Sequence, residues 1–460
     1  MMSNPLANDA FIGKVKTRKK TDDSISIDKV EAYTVGYNDA VNICANACAC
    51  CWDRKVPDGY SAAAEYIGKR TKIGHTSVIE HSNHVMYIKI GKNFEDYLVS
   101  FLSSCNYLNK KAYKSSDGSC WHLLIGGSYR AYSDLYKEAT DLNDPILKAI
   151  TGQLYVYSNS AFFEDVCEYK LMDKSSFINS ESLIDEKCGF IGVGNRYSDT
   201  LIDIVGCDSI GCLYSNIYKI DKEAANLFTN DLINFATVSV LFKNMSRTCT
   251  HQLVRHRNAV TQESQRYVNY GNASFSSPEI FKPGKYDPNH KYKITFGDST
   301  QMLTLSEIGK NITEIYNMVS DPSIAGQYSL LKEDARAFLP GNIQCGKIYM
   351  TFTYSHLMKF LELRENEAAQ AEIRKYANDL GLWFRDNTSF SNKEDDDSFN
   401  KPRLVRDELK LSKCITDAAN IYNPELDKAE EFVKITEEDY IKAAGLDKED
   451  DTENANNASE

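Results

Sequence analysis

Apolar positions in this chain fall into short runs separated by polar turns, and their spacing predicts strands and helices in alternation. Between Val30 and about Ile90 the pattern predicts an opening strand, a helix through Ala40–Cys51, a second helix over Ser61–Ile73 and a strand over Val85–Ile90. Pro145–Tyr155 and Lys222–Leu232 have helical spacing, and Phe235–Phe242 is a β-rich apolar run expected as a buried strand. Ser246 stands where an N-cap belongs, ahead of a helix expected over Arg247–Arg255. A long amphipathic helix is expected from His356 to Trp383.

The helix after Ser246 runs into a concentration of charge. Arg255, His256, Arg257 and Arg266 fall within twelve positions of an otherwise acidic chain. Guanidinium groups suit bidentate phosphate binding, so the cluster is a candidate anion site. On a helix Gln252 and Arg255 share a face, whereas Arg255 and Arg257 point in nearly opposite directions. Either two ligands meet at this loop or the chain leaves the helix at His256. A solvated basic turn paired with surface carboxylates is the competing reading of an isolated Arg-His-Arg.

Composition narrows the field. With 460 residues, 42% hydrophobic and 11% aromatic, the chain can build one large domain or two ordinary ones. A net charge of −12 argues against a nucleic-acid surface, because displacing counterions needs an extended basic face. No apolar stretch approaches a membrane span, and Met1–Lys20 is polar without a signal core, so a cytoplasmic protein is expected. The thirteen cysteines are then expected as thiols. Cys44, Cys48, Cys50 and Cys51 lack paired zinc spacing and lie in an alanine-rich helical stretch, which predicts core packing and no metal.

Several ordered blocks carry a resemblance to one family. His251–Arg257, followed by Gln262-Glu263-Ser264-Gln265-Arg266-Tyr267, resembles the signature of the flavin-dependent thymidylate synthases, with one residue fewer between Arg257 and Ser264. Gly74–His81 resembles the family's upstream GHxSxxEH block, Ala335–Pro340 its ARxxLP block, and Leu363-Arg364 with Ala369–Arg374 its last helix. The resemblance implies an α/β enzyme of α+β type, with an antiparallel-rich sheet and flanking helices. It implies methylation of deoxyuridine monophosphate (dUMP) to thymidylate, with methylenetetrahydrofolate as carbon donor and FAD, reduced by NADPH, as hydride carrier. It also implies a homotetramer with active sites at subunit interfaces.

By position, the resemblance assigns Gln252, Arg255, Gln262, Ser264, Gln265, Arg266, Arg336 and Arg364 to the nucleotide, with Arg255, Ser264, Arg266 and Arg364 nearest the chemistry. It assigns His75, Ser77, Glu80, Arg255, His256, Arg257, Asn258, Lys359 and Leu363 to the flavin. Ser264 has no activating His or Asp in pattern, so it is expected to position substrate rather than attack it. The family's Asn-x-Arg segment departs most. Where it belongs, before Arg364, the chain reads Thr353-Tyr354-Ser355, while Ser128-Tyr129-Arg130 at the end of an apolar run resembles it instead. Arg130 is a candidate for the missing cation, and an ordinary exposed arginine beside a glycine turn is the alternative.

These matches divide the chain into a flexible N-terminal extension (1–29), two parts of a catalytic domain (30–90 and 235–390), an insertion (91–234) and an acidic C-terminal region (391–460) with a disordered end. Two other functions stay open. One is a flavin enzyme that hydroxymethylates a pyrimidine nucleotide, and the other is a non-enzymatic nucleotide-binding or assembly protein that lost the flavin at Thr353 and Ser355.

Overall fold

Strand β2 (His84–Gly91) is buried on both sides, and its alternation sends Met86, Ile88 and Ile90 into one core and Val85 and Tyr87 into another. The sheet around it is therefore covered on both faces. It is antiparallel, in the order β1-β2-β4-β3, with β1 at Val30–Tyr37, β3 at Asn109–Lys114 and β4 at Cys120–Gly127. In the computed structural model the described residues are 30–138, 144–157, 192–193, 201–208, 210–256, 258–272, 287–341, 343 and 346–387. The expected N-terminal extension and acidic C-terminal region lie outside them.

A second antiparallel sheet has the order β5-β6-β7-β11-β8, from Gly192–Val193, Ile202–Asp208, Thr237–Lys243, Lys347–Thr353 and Ala259–Gln262. One face carries Val238, Val240, Phe242, Ile348, Met350 and Phe352 against helices at Tyr354–Arg364 and Ala371–Asn387. The other face, with Tyr349 and Leu241, is covered by the helix α1 (Ala40–Trp52). The fold is α+β, as the sequence implied. Its antiparallel hairpin β9-β10 (Lys291–Phe296 and Ser299–Thr304) stands apart and leads into a helix, Leu305–Ser320, started by a capping box between Thr304 and Glu307.

Helix α1 starts where the Asp39 carboxylate accepts from the Asn42 N–H and ends at Asp53, in the left-handed region at φ 46°. Cys44, Cys48, Cys50 and Cys51 are all buried and outside any disulfide, so these thiols pack as small apolar groups. Burial pushes Cys51 up to about 11 and Cys48 to about 12, which keeps both protonated at neutral pH.

Three expected elements end earlier than their apolar spacing suggested. The helix capped by Ser246, whose hydroxyl accepts from Cys249 N–H, is α-helical only over Arg247–Leu253 and tightens to a 3₁₀ turn over Val254–His256. Lys222–Phe228 is α-helix and Thr229–Asn234 a 3₁₀ segment. The single helix expected from His356 to Trp383 is two, Tyr354–Arg364 and Ala371–Asn387. Asn366 makes the break, its side chain accepting from Ala368 N–H and its carbonyl from Ala369 N–H. Strands β3 and β4, within the stretch expected as an insertion, complete the first sheet.

Candidate functional site

Helix Tyr354–Arg364 ends with Arg364 half-buried, its Nε donating to His256 Nε2 at 2.9 Å. Arg364 thus turns inward, and the guanidinium from one end of the sequence signature meets the imidazole from the other. Burial first, then the Arg364 charge, pushes His256 down to about 4, so at neutral pH the ring is uncharged and accepts. Its edge packs on Phe360, ring centres 5.0 Å apart. Asn258 braces the turn by donating to the His256 carbonyl at 3.0 Å and pairing with His356 Nδ1 at 3.1 Å. Arg257 lies outside the described residues.

Beside this turn Gln252 donates to Gln370, and Gln262 donates to Thr250 Oγ1 at 2.9 Å. Arg255 and Arg336 are exposed and have no ion-pair partner among the described residues. Lys359 and Leu363 are exposed on helix Tyr354–Arg364. An exposed guanidinium at Arg255, without an ion-pair partner among the described residues, suits a phosphorylated ligand.

A second group forms where residues 264–267 meet α1. Ser264 N–H donates to the Cys51 carbonyl at 3.0 Å, and its hydroxyl accepts from Arg266 N–H at 3.2 Å. Tyr267 stacks on Trp52 with ring centres 4.0 Å apart, and His75 tilts against both. Arg70 lies 4.2 Å over the Trp52 ring. Trp52 Nε1 and Arg70 Nε are buried donors with no acceptor among the described residues. An unsatisfied buried donor costs about 1–3 kcal/mol, so a ligand acceptor there would recover it. Desolvation and the cations Arg70 and Arg266 hold His75 below its usual range. Arg266 reaches outward to Glu333 at 2.9 Å, and Gln265 is buried.

Behind Gly74, which adopts φ 92°, the 3₁₀ segment Thr76–His81 carries the remaining residues of the upstream block. His81 is fully buried and bridges two strands of the second sheet, Nδ1 to Thr351 Oγ1 at 2.9 Å and Nε2 to Thr261 Oγ1 at 3.0 Å. Ser77 is partly exposed. Glu80 receives the Arg130 guanidinium at 2.6 Å, and Arg130 also approaches Asp134 at 3.6 Å. Burial raises the Glu80 carboxyl although Arg130 opposes it. The candidate cation Arg130 therefore sits beside the upstream block. At the alternative position Thr353 Oγ1 and Ser355 Oγ bond to each other at 3.1 Å, and Thr353 caps the helix. Trp52 and Arg70 were missed by sequence reasoning, because neither belongs to a block and only the tertiary fold brings them to Tyr267.

This geometry can be set beside known proteins. Residues 222–386 match the family of the thymidylate synthase complementing protein. The chain is similar to flavin-dependent thymidylate synthases, 34% identical to that of Thermococcus kodakarensis over 147 residues, which is 32% of this chain and 53% of the relative. The Mycobacterium marinum enzyme is 30% identical over 149 residues, 32% of this chain and 56% of the relative. That of Mycobacterium tuberculosis is 29% identical over 148 residues, again 32% and 56%. The chain spans about half the length of the curated relatives it matches. No helix among the described residues is long and apolar enough to cross a membrane.

Proposed function

We propose that this chain methylates dUMP to thymidylate, with methylenetetrahydrofolate as carbon donor and FAD, reduced by NADPH, as hydride carrier. The observation that carries the reading is the Arg364–His256 bond, which brings the two ends of the signature together beside Arg255, an arginine with no ion-pair partner among the described residues. Arg255 and Arg364 with Gln252 would hold the nucleotide phosphate, and Gln262, Ser264, Gln265, Arg266 and Arg336 the rest of the nucleotide. Catalysis of this kind rests on positioning and charge rather than on a protein acid or base.

The residues present fit a flavin at the upstream block. His75 lies against Tyr267 and Trp52, beside the unsatisfied Trp52 and Arg70 donors, and Ser77 and Glu80 follow it in the same block, with Arg130 attached through Glu80. The remaining flavin contacts would be Arg255, His256, Arg257, Asn258, Lys359 and Leu363. Bound FAD would supply the hydride, and the protein would orient it and exclude water. A homotetramer with active sites at subunit interfaces, in the cytoplasm, belongs to the same proposal.

One observation favours a second reading. Thr353 and Ser355 are committed to each other and to a helix cap, so that segment offers the flavin no cation. A nucleotide-binding protein without flavin would show this too. Visible absorption of the purified chain with FAD, then with dUMP, separates them. Flavin bands perturbed by dUMP, followed by methyl transfer from labelled methylenetetrahydrofolate, support the synthase. Nucleotide binding without flavin bands would sink it, and a product heavier by a hydroxymethyl group would turn it into the related transferase.

A further inference from the structure

Apart from the two-residue edge strand β5, the two sheets have the same strand order when read in chain sequence. First, second, fourth, third describes β1-β2-β4-β3, and it also describes β6-β7-β11-β8. The likeness extends to irregularities. β1 and β6 each have one bulge, between Thr34 and Gly36 and between Ile204 and Gly206. Both bulges read Val-Gly, and each strand is followed by a helix, at Ala40–Trp52 and Ile210–Ile220.

Register then fixes counterparts residue by residue. Tyr37 pairs with His84 and Cys207 with Val238, so Asn83 corresponds to Thr237. The same capping bond appears at each, Asn83 N–H to Asn38 Oδ1 at 2.9 Å and Thr237 N–H to Asp208 Oδ2 at 2.8 Å. Gly126 corresponds to Thr351, and Asn109 to Ala259.

The units also exchange contacts reciprocally. His81 of the first lies on Thr351 of the second, and its counterpart Phe235 lies on Gly126, where an added Cβ would come within 2.9 Å of the Phe235 ring. Ile43 packs on Gly206, and the helix at Ile210–Ile220 returns a contact to β1 through Asn216 Nδ2 and the Val35 carbonyl at 2.8 Å. Contacts in which i meets j and j meets i define an isologous pairing.

We propose that the chain is two copies of one folding unit, paired within the chain as two protomers would pair, and that only one of its two equivalent ligand positions has kept its chemistry. The position formed by the Thr76–His81 block against β8 and residues 264–267 is the retained one. The other, formed by Thr229–Asn234 against β3, is closed. There Asp231 takes the Tyr113 hydroxyl at 2.7 Å and Lys111 at 3.3 Å, and Asn109 donates to the Asn234 carbonyl at 2.8 Å. Where the second unit has Arg255-His256-Arg257 before β8, the first has Cys105-Asn106-Tyr107 before β3. On this reading residues 91–234 are no insertion but the end of one unit and the start of the next. The first unit is a permanent partner supplying His75, Ser77 and Glu80 to a second that supplies the cations.

The ligand in this proposal rests on the function proposed above, so the test has a ligand-bound part and a ligand-free part. FAD titration of the full chain is expected to reach one flavin per chain. His75→Ala and Arg255→Ala should weaken FAD at least about tenfold, while their counterparts Thr229→Ala and Cys105→Ala should change it less than about twofold. Two flavins per chain, or equal losses within each pair, would overturn the single retained position. If the wild-type chain takes up no FAD, the functional reading fails and calorimetry of the same chain decides the pairing. One cooperative unfolding transition supports interlocked units, and two separable transitions overturn them.

Discussion

The inner face of the second sheet and the inner face of the first are covered in the same way, by helices from the other half of the chain, yet they spend their polar groups differently. On the second, His81 and the two threonines satisfy one another without charge, and the rim leaves Trp52 Nε1 and Arg70 Nε unsatisfied. On the first, several charged and ring groups close on each other, while Ser215 Oγ of the covering helix has no partner among the described residues. Lys89 meets Asp221 at 2.7 Å, His122 bonds Tyr87, and Asp231 joins Lys111 and Tyr113. The same geometry thus yields paired charges on one side and unsatisfied donors at the rim of the other. Unfinished polar surface is costly to fold, so it marks where a ligand is expected.

The largest effect expected is structural and tests whether the two faces depend on each other. Phe235 is buried, and truncation to Ala removes a ring from the junction between units, for a loss of about 3–5 kcal/mol in denaturant unfolding. A loss below about 1 kcal/mol would mean that the units are not interlocked there.

Next is Arg364→Ala, which removes the guanidinium that docks on His256. Calorimetric titration with dUMP should show about 100-fold weaker binding, near 3 kcal/mol, with the unfolding midpoint little changed. An unchanged affinity would remove Arg364 from the nucleotide site and leave its inward orientation as packing.

A smaller effect comes from the one place where the capping bonds of the two units differ in charge, Asn38 against Asp208. Burial outweighs the bonds from Thr237 and Asn83 and pushes Asp208 up to about 6. The folded chain keeps that proton to about pH 6 and the unfolded chain only to about pH 4, so this group lowers stability as pH rises between those values. At neutral pH the cost is on the order of 3 kcal/mol. Asp208→Asn, the residue of the first unit, should recover about 2 kcal/mol after the loss of charge-assisted bonding, a gain that grows between about pH 4 and pH 6 and is complete above it. Unfolding midpoints of both proteins between pH 4 and 8 would show it, and equal pH profiles would contradict it.

How much of this was legible in the sequence follows from the range of each interaction. Ser246 was readable because a cap involves residues three apart, and the strand at Thr237–Lys243 because its apolar run is local. The break at Asn366 was not, since its turn bonds interrupt a spacing that stays helical on both sides. The blocks at His75 and Arg255 were readable by resemblance, but the Arg364–His256 bond and the Trp52–Tyr267 stack join distant residues without a local signal. The repeat was hidden for a related reason. Its members share strand order, bulges and registers while their side chains have diverged, as Cys105-Asn106-Tyr107 has from Arg255-His256-Arg257.

The smallest effect expected lies at the sealed face and separates structural from ligand roles most sharply. Asp231 occupies the place that Ser77 holds in the upstream block, but it already holds Lys111 and the Tyr113 hydroxyl at the edge of the first sheet. Asp231→Asn keeps the size and an acceptor for Tyr113 and removes only the charge. A partly exposed pair of this kind contributes about 1 kcal/mol or less, so the unfolding free energy should fall by about that much. FAD and dUMP affinities should stay the same, because the contacts of Asp231 all run to its own sealed junction. Ser77→Ala should do the reverse, leaving stability intact and weakening FAD. If Asp231→Asn weakened either ligand while stability held, the sealed face would have to be reckoned a second ligand position, and the division of labour between the two faces would be lost.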